Sequence, residues 1–196
     1  MLKLLLFLVV ISISTITPQS RDSLYSLNLE VGAGYSYHLT DLNMPDVNLH
    51  GFNGTLRIMW QPEHLLRIGL ETGYHQLYSL DKVINLTGIG RSEAEISMFS
   101  IPVLAVFSMV VFPQMLPELE IKFSSGVMFL NTRGNGFGSK ASSSQITLGF
   151  SGAATYLRPL NEHFAVGAEL KYYNFAKIDD GNLSLQFIFT YKFMRW

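Results

Sequence analysis

Eight charged residues stand inside otherwise apolar stretches of the chain: Arg57, Arg67, Lys122 and Lys171, and Glu30, Glu71, Glu120 and Glu169. Cations and carboxylates in equal number suit ion pairing more than catalysis. The five histidines are His38, His50, His64, His75 and His163. His38 and His50 flank the polar stretch Thr40 to Asn48 and could meet there as metal ligands; the alternative is two solvated loop histidines. His64 and His163 fall in short connections elsewhere and cannot join them. His75 shares the parity of Arg67 and Glu71 and is expected in the same charged set. Glu93 and Glu95 could hold a divalent cation, or simply begin a solvated strand. Asp179-Asp180-Gly181-Asn182 could suggest calcium but suits a hairpin turn, where Asp, Gly and Asn tolerate the backbone. A Ser–His–carboxylate set would need geometry that nothing here announces: there is no His-x-Ser pair and no Gly-x-Ser-x-Gly elbow. No Walker loop, dinucleotide fingerprint or zinc motif occurs, and the Gly-rich stretch Asn131 to Ser139 opens no helix. The expectation is no catalytic residue, no cofactor and no metal.

Composition narrows what could position such charges. The chain has 196 residues, 14 Lys+Arg against 15 Asp+Glu, a net charge of -1 and no Cys. The near-neutral balance, without a basic run, gives no nucleic-acid footprint. The missing Cys removes disulfides, thiolate metal sites, thiol catalysis and an N-terminal lipid-modified Cys. Only 15% of residues are charged while 13% are aromatic, and the one long apolar run is N-terminal. This excludes a helical membrane protein and leaves a β protein with a greasy surface.

That N-terminal run extends from Leu4 to Ile16 behind Lys3, about 13 residues, short of the roughly 20 a spanning helix needs. A basic start, a short apolar core and a polar exit predict an export signal over 1–20, with cleavage near Ser20–Arg21. The competing readings are an uncleaved anchor or a buried first strand. Residues 21–196 form the predicted barrel domain.

From Leu24 onward the period is two, the strand signature. Leu27, Leu29, Val31, Ala33, Tyr35 and Tyr37 alternate with Ser26, Asn28, Glu30, Gly32, Gly34 and Ser36. Similar alternation marks seven more segments, the last carrying Leu183, Leu185, Phe187, Phe189, Tyr191 and Phe193 on one face. The fourth segment, Glu93 to Phe112, is less regular. Its pattern slips near Met98–Phe99, and Pro102 predicts a bulge because proline cannot donate to a ladder. Short Pro-containing connections alternate with long polar ones: Thr40 to Asn48, Asp81 to Ser92, Asn131 to Ser144, and the tighter Asp179 to Asn182. That layout predicts an all-β fold, an eight-stranded antiparallel up-and-down transmembrane β-barrel with both termini periplasmic.

Glycine decides which face points inward. Gly32, Gly34, Gly69, Gly73, Gly126, Gly149 and Gly167 share parity with the charged residues, and only Gly54 and Gly152 lie on the apolar face. A narrow eight-strand lumen needs small residues to fit its side chains, whereas a solvated face gains nothing from glycine. A lipid-facing Arg at mid-membrane would also cost roughly 2–4 kcal/mol. The polar face is therefore predicted to form a packed lumen network of Glu30, Arg57, Arg67, Glu71, Glu120, Lys122, Glu169 and Lys171. Tyr35, Tyr37, Tyr74, Tyr78 and Tyr172 toward one end, and Trp60 and Tyr156 toward the other, are placed to form interfacial aromatic girdles.

The strand Ser100-Ile101-Pro102-Val103-Leu104, the Gly126-containing fifth strand, Gly149 to Tyr156 followed by an Arg-Pro-Leu-Asn turn, and the aromatic C-terminus together resemble small outer-membrane β-barrel proteins of the OmpA-like superfamily, especially the porin-like and PorT-like barrels of Bacteroidetes. The resemblance spans about 24–196. It implies that Tyr191, Phe193 and Trp196 act as the C-terminal signal read by the barrel-assembly machinery, although Arg195 interrupts the alternation before Trp196. It implies outer-membrane lipids as surroundings and an envelope protein as a partner. The expected function is non-enzymatic: a structural or surface-interaction barrel acting through its long loops. An accessory subunit of a secretion or assembly system is the alternative, with a narrow pore or a lipid-active enzyme behind it.

Overall fold

In the computed structural model the described residues are 25–40, 47–63, 65–86, 90–136, 139–176 and 180–195, with the side chains of 82–94 and 195 left aside. The export segment, His64, Asp179 and Trp196 lie outside them. The strands are β1 (Ser26–Leu39), β2 (Val47–Asn48), β3 (His50–Gln61), β4 (Leu66–Leu86), β5 (Gly90–Phe112), β6 (Leu116–Gly136), β7 (Ser139–Pro159), β8 (Phe164–Phe175) and β9 (Asp180–Arg195).

Eight long strands pair with their neighbours, all antiparallel, and β1 against β9 closes the ring. The two-residue β2 continues the wall beside Ser79 and Leu80 of β4. Closure removes every edge from the membrane zone, the condition that lets a sheet cross lipid. The wall is staggered. Ladder partners followed from Glu30 through Arg57, Glu71, Leu104, Gly126, Gly149 and Phe175 reach Asp180, whose neighbour Gly181 pairs with Leu39, far above the start. Strands therefore tilt, and residues distant in register meet at one height inside.

The alternation sends even residues of β1 inward and odd ones outward. Glu30 is buried while Val31 is exposed, and Arg57 is buried while Leu56 and Ile58 are exposed. The exposed exterior is a belt of large apolar side chains, with Leu70, Phe123 and Phe187 each more than 60% accessible. Glycine follows the same division. A Cβ on inward Gly167 would collide with the carbonyl of Tyr156, whereas one on outward Gly152 would meet nothing within 4 Å.

Three expectations are corrected. The stretches Asp81 to Ser92 and Asn131 to Ser144 are not loops for most of their length. Strands β4 and β5 stay paired up to Leu86 and Gly90, and β6 and β7 up to Gly136 and Ser139. Polar serines and asparagines hide such strands because ladder bonds come from the backbone, whatever the side chains are. Pro102 sits in unbroken register opposite Met128. Register shifts lie elsewhere: on β4 between Gln76 and Tyr78, opposite Phe99 and Met98, and near the end of β5 between Val110 and Phe112. The bulge brings Leu77 inside, fully buried, and leaves Tyr78 half-buried against the interior cluster instead of in the outer girdle.

The outcome is a lopsided barrel. Strands β4 to β7 are 21 to 23 residues long, against 12 to 16 for β1, β3, β8 and β9. Four strands thus continue past the rim as one sheet.

Candidate functional site: the lumen

All eight charged residues named above lie inside and are at least nine-tenths buried. Arg57 is the hub. Its Nε donates to Glu71 at 2.5 Å, its Nη1 to Glu169 at 2.9 Å and Glu30 at 3.3 Å, and its Nη2 to the other oxygen of Glu169. Lys122 donates to Glu30 at 2.8 Å and to Glu169 at 3.2 Å. Lys171 reaches both oxygens of Glu71 at 2.5 Å. Arg67 donates to Glu30 at 2.9 Å and pairs with Glu120. Neutral donors complete the shells: Ser108 on Glu120 at 3.1 Å, Thr155 on Glu169 at 2.8 Å and Tyr173 on Glu71 at 2.9 Å.

The contacts cross the lumen. Lys122 of β6 meets Glu30 of β1 on the opposite wall, and Arg57 of β3 meets Glu169 of β8. The result is a neutral ionic plate with every carboxylate shared by at least two donors, which is how charges persist away from water. The sequence pattern contained Thr155 and Ser108 at inward positions, but nothing in it marked them as partners. Tyr173 shares the parity of Lys171 and lies inside, a member of the set that sequence reasoning did not single out.

Above the plate the lumen changes character. Leu77, Met98, Leu104, Met128, Leu130, Tyr173 and Phe175 form a buried apolar cluster, so the lumen is polar only in part. His75 is buried nearby but makes no hydrogen bond to the ionic set. Its ring lies edge-on to Tyr173 at 4.4 Å. The two loop histidines do not meet: His38 faces inward with Nε2 3.3 Å from Asp180, while His50 stacks outside on Tyr35 at 5.6 Å. Among the described residues no group of three His, Cys, Asp or Glu could hold a metal ion.

Tyr191 and Phe193 lie near the end of β9 with exposed side chains; Trp196 lies outside the described residues. Tyr35, Tyr37 and Tyr74 ring the outside at one end and Trp60 and Tyr156 at the other, the disposition of aromatic belts at membrane interfaces.

A closed antiparallel barrel with an apolar exterior, aromatic girdles and a charge-filled interior defines an outer-membrane β-barrel. The chain belongs to the outer membrane protein beta-barrel domain family, whose model matches residues 4–193, and the small OmpA-like barrels are its kin. That family resides in the bacterial outer membrane. The chain is similar in fold to Neisserial surface protein A, with 13% identity, a TM-score of 0.57, and coverage of 86% of this chain and 99% of that one. It is similar to the attachment invasion locus protein Ail of Yersinia pestis, with 12% identity, a TM-score of 0.53, and coverage of 87% and 99%. A major outer membrane protein of Thermus thermophilus matches at 15% identity and a TM-score of 0.53, covering 86% and 99%. No curated protein matches the chain in sequence.

Proposed function

We propose that the protein is a non-enzymatic surface-interaction barrel, anchored by its lipid face and presenting the β4–β7 sheet outside the cell, with both chain ends in the periplasm. The observation that carries this is the sheet itself. Asp81 to Leu86 of β4 has no lateral partner on its outer side among the described residues, and neither does Ser139 to Thr147 of β7, because β3 and β8 stop short. Two free edges above a girdle offer backbone donors and acceptors to a partner chain. On the β6–β7 half the residues are polar, with Ser142, Ser143 and Ser144 beside Arg133, Thr132 and Asn131, which suits exposure to water.

The crossed ionic plate supports a closed lumen and so argues against solute conduction. Two of the structural neighbours, a surface protein and an attachment invasion locus protein, are in keeping with a role at the cell surface. Tyr191, Phe193 and Trp196 serve insertion by the barrel-assembly machinery, and any further partner is an envelope or surface protein.

The test uses the natural absence of Cys. A Cys at Ser142 should react with a membrane-impermeant thiol reagent on intact cells, while a Cys at Glu63 or Asn161 should react only after the outer membrane is opened. The reverse pattern would invert the topology. Pull-down with and without residues 133–142 then decides whether the projecting sheet carries the partner; equal capture by both would end the surface reading and favour an accessory subunit bound from the periplasm.

A further inference from the structure

The outer, apolar face of the barrel is not evenly covered. Across β4 to β7 it holds a hollow of about 790 Å³. The floor is Ala105 of β5 and Ser125 of β6, which are ladder partners. Leu70, Phe107, Phe123 and Phe150 stand around them as walls, all exposed, and Trp60 of the short-turn girdle closes one corner. Past Phe150 the outward residues of β7 run Gly152, Ala154, Tyr156 and Arg158 toward the short turns. A Cβ on Gly152, opposite Phe123, would meet nothing within 4 Å, so the hollow stays open on that side.

A hollow left empty in hydrocarbon forfeits van der Waals contact along its whole lining. The shape selects what fills it. The floor is two neighbouring strands wide, and strands lie about 5 Å apart, whereas a transmembrane helix with its side chains is about 10 Å across. A second copy related by a two-fold axis would set the same patch against itself, hollow against hollow, and leave the void. A single hydrocarbon chain is narrow and flexible enough to lie between the phenylalanines. Arg158 supplies the other end of the site. It is half-buried on the same outward face of β7 and makes no ion pair among the described residues. A rise of about 3.3 Å per residue and a tilt of about 40° put it about 15 Å below Gly152, the depth of one hydrocarbon leaflet. A guanidinium at that level is a bidentate donor to a phosphate.

We infer that the barrel holds one phospholipid in the leaflet that meets the short turns, with an acyl chain seated over Ala105 and Ser125 and the phosphate on Arg158. With both chain ends in the periplasm, as proposed above, this is the periplasmic leaflet; that assignment rests on the proposed orientation, and the site itself does not.

The test is native mass spectrometry of the purified full barrel in detergent, with dipalmitoyl phosphatidylglycerol or with dipalmitoylglycerol, which has the same chains and no phosphate. One phosphatidylglycerol should stay on each barrel, and dipalmitoylglycerol should be released. Ala105→Leu with Ser125→Leu fills the hollow from outside and should abolish retention. Arg158→Gln should weaken it roughly fivefold, the effect of one cation beside an anionic headgroup, and it reads the site even if the double variant fails to close. Heat-dependent gel migration shows which variants form the barrel. Equal retention by the parent and either folded variant, or equal retention of the two lipids, would overturn the inference. So would a lipid-free pair of barrels that the two leucines separate. Thiol labelling on cells is a separate reading: an inverted pattern with retention intact would overturn the proposed orientation, and with it the leaflet, but not the site.

Discussion

The lower lumen is held by charge and the upper lumen by a split between an apolar wall and an amide wall. Below, Arg57 alone ties together Glu30, Glu71 and Glu169 from three strands. Above, Leu104, Met128 and Leu130 pack against each other while Asn53 and Asn182 find no protein partner among the described residues. The two regions are built of the same strands, so the difference lies in the inward residues alone. It shows that a narrow barrel can be closed in two ways, and that they fail differently. A charge network penalises the loss of any one member, because the partners stay buried. An apolar cluster loses only the contacts of the residue removed.

The largest effect should come from Arg57→Leu. Three carboxylates lose their shared cation, and breaking a buried ionic set costs roughly 3–5 kcal/mol. The gel unfolding temperature should fall steeply, or the barrel should fail to assemble. Replacing Glu71 and Lys171 together with leucine and methionine should cost less than Glu71→Leu alone, since a matched pair of charges then leaves together. A double-mutant cycle on the same gel measures this coupling, and simple additivity would mean that the plate is not one network.

Leu104→Ala should come next, at roughly 2–3 kcal/mol, near the low end for truncating a buried leucine. The flexible Met98 and Met128 packed in the same cluster can relax into the space. A loss exceeding that of Arg57→Leu would mean that the apolar half, not the ionic half, holds the barrel closed.

The smallest contrast concerns glycine. Gly167→Ala drives a methyl into the Tyr156 carbonyl and should cost about 1–3 kcal/mol through forced backbone shift. Gly152→Ala, open to the outside, should stay within about 0.5 kcal/mol of the parent. Equal effects would contradict the assignment of the two faces.

This contrast also explains what sequence could and could not show. Where the lumen is charged, alternation is unmistakable: Glu30, Arg57 and Lys122 stand out between apolar neighbours. Where the lumen is apolar, both faces look alike. On β5, Met98, Leu104 and Val106 point inward while Ile101, Val103 and Phe107 point outward, so the pattern of residue types blurs although inward and outward positions still alternate. Tyr173 and Phe175 were hidden for the same reason. The bulge at Leu77 left no mark, because it is a feature of pairing between two strands. The ion pairs themselves join residues as far apart as Arg57 and Glu169, and only the stagger of the closed wall brings them to one height.

The barrel is arranged inside-out, with charge within and apolar side chains without. Leu70 and Glu71 are adjacent in β4, the first exposed and the second fully buried, so one pair of variants tests it. Gel unfolding temperatures should show Glu71→Leu well below the parent, since Lys171 and Arg57 lose an acceptor, and Leu70→Ala close to it, since the side chain only meets lipid. If Leu70→Ala proved the more damaging, or if the two were equally mild, the faces would be wrongly assigned.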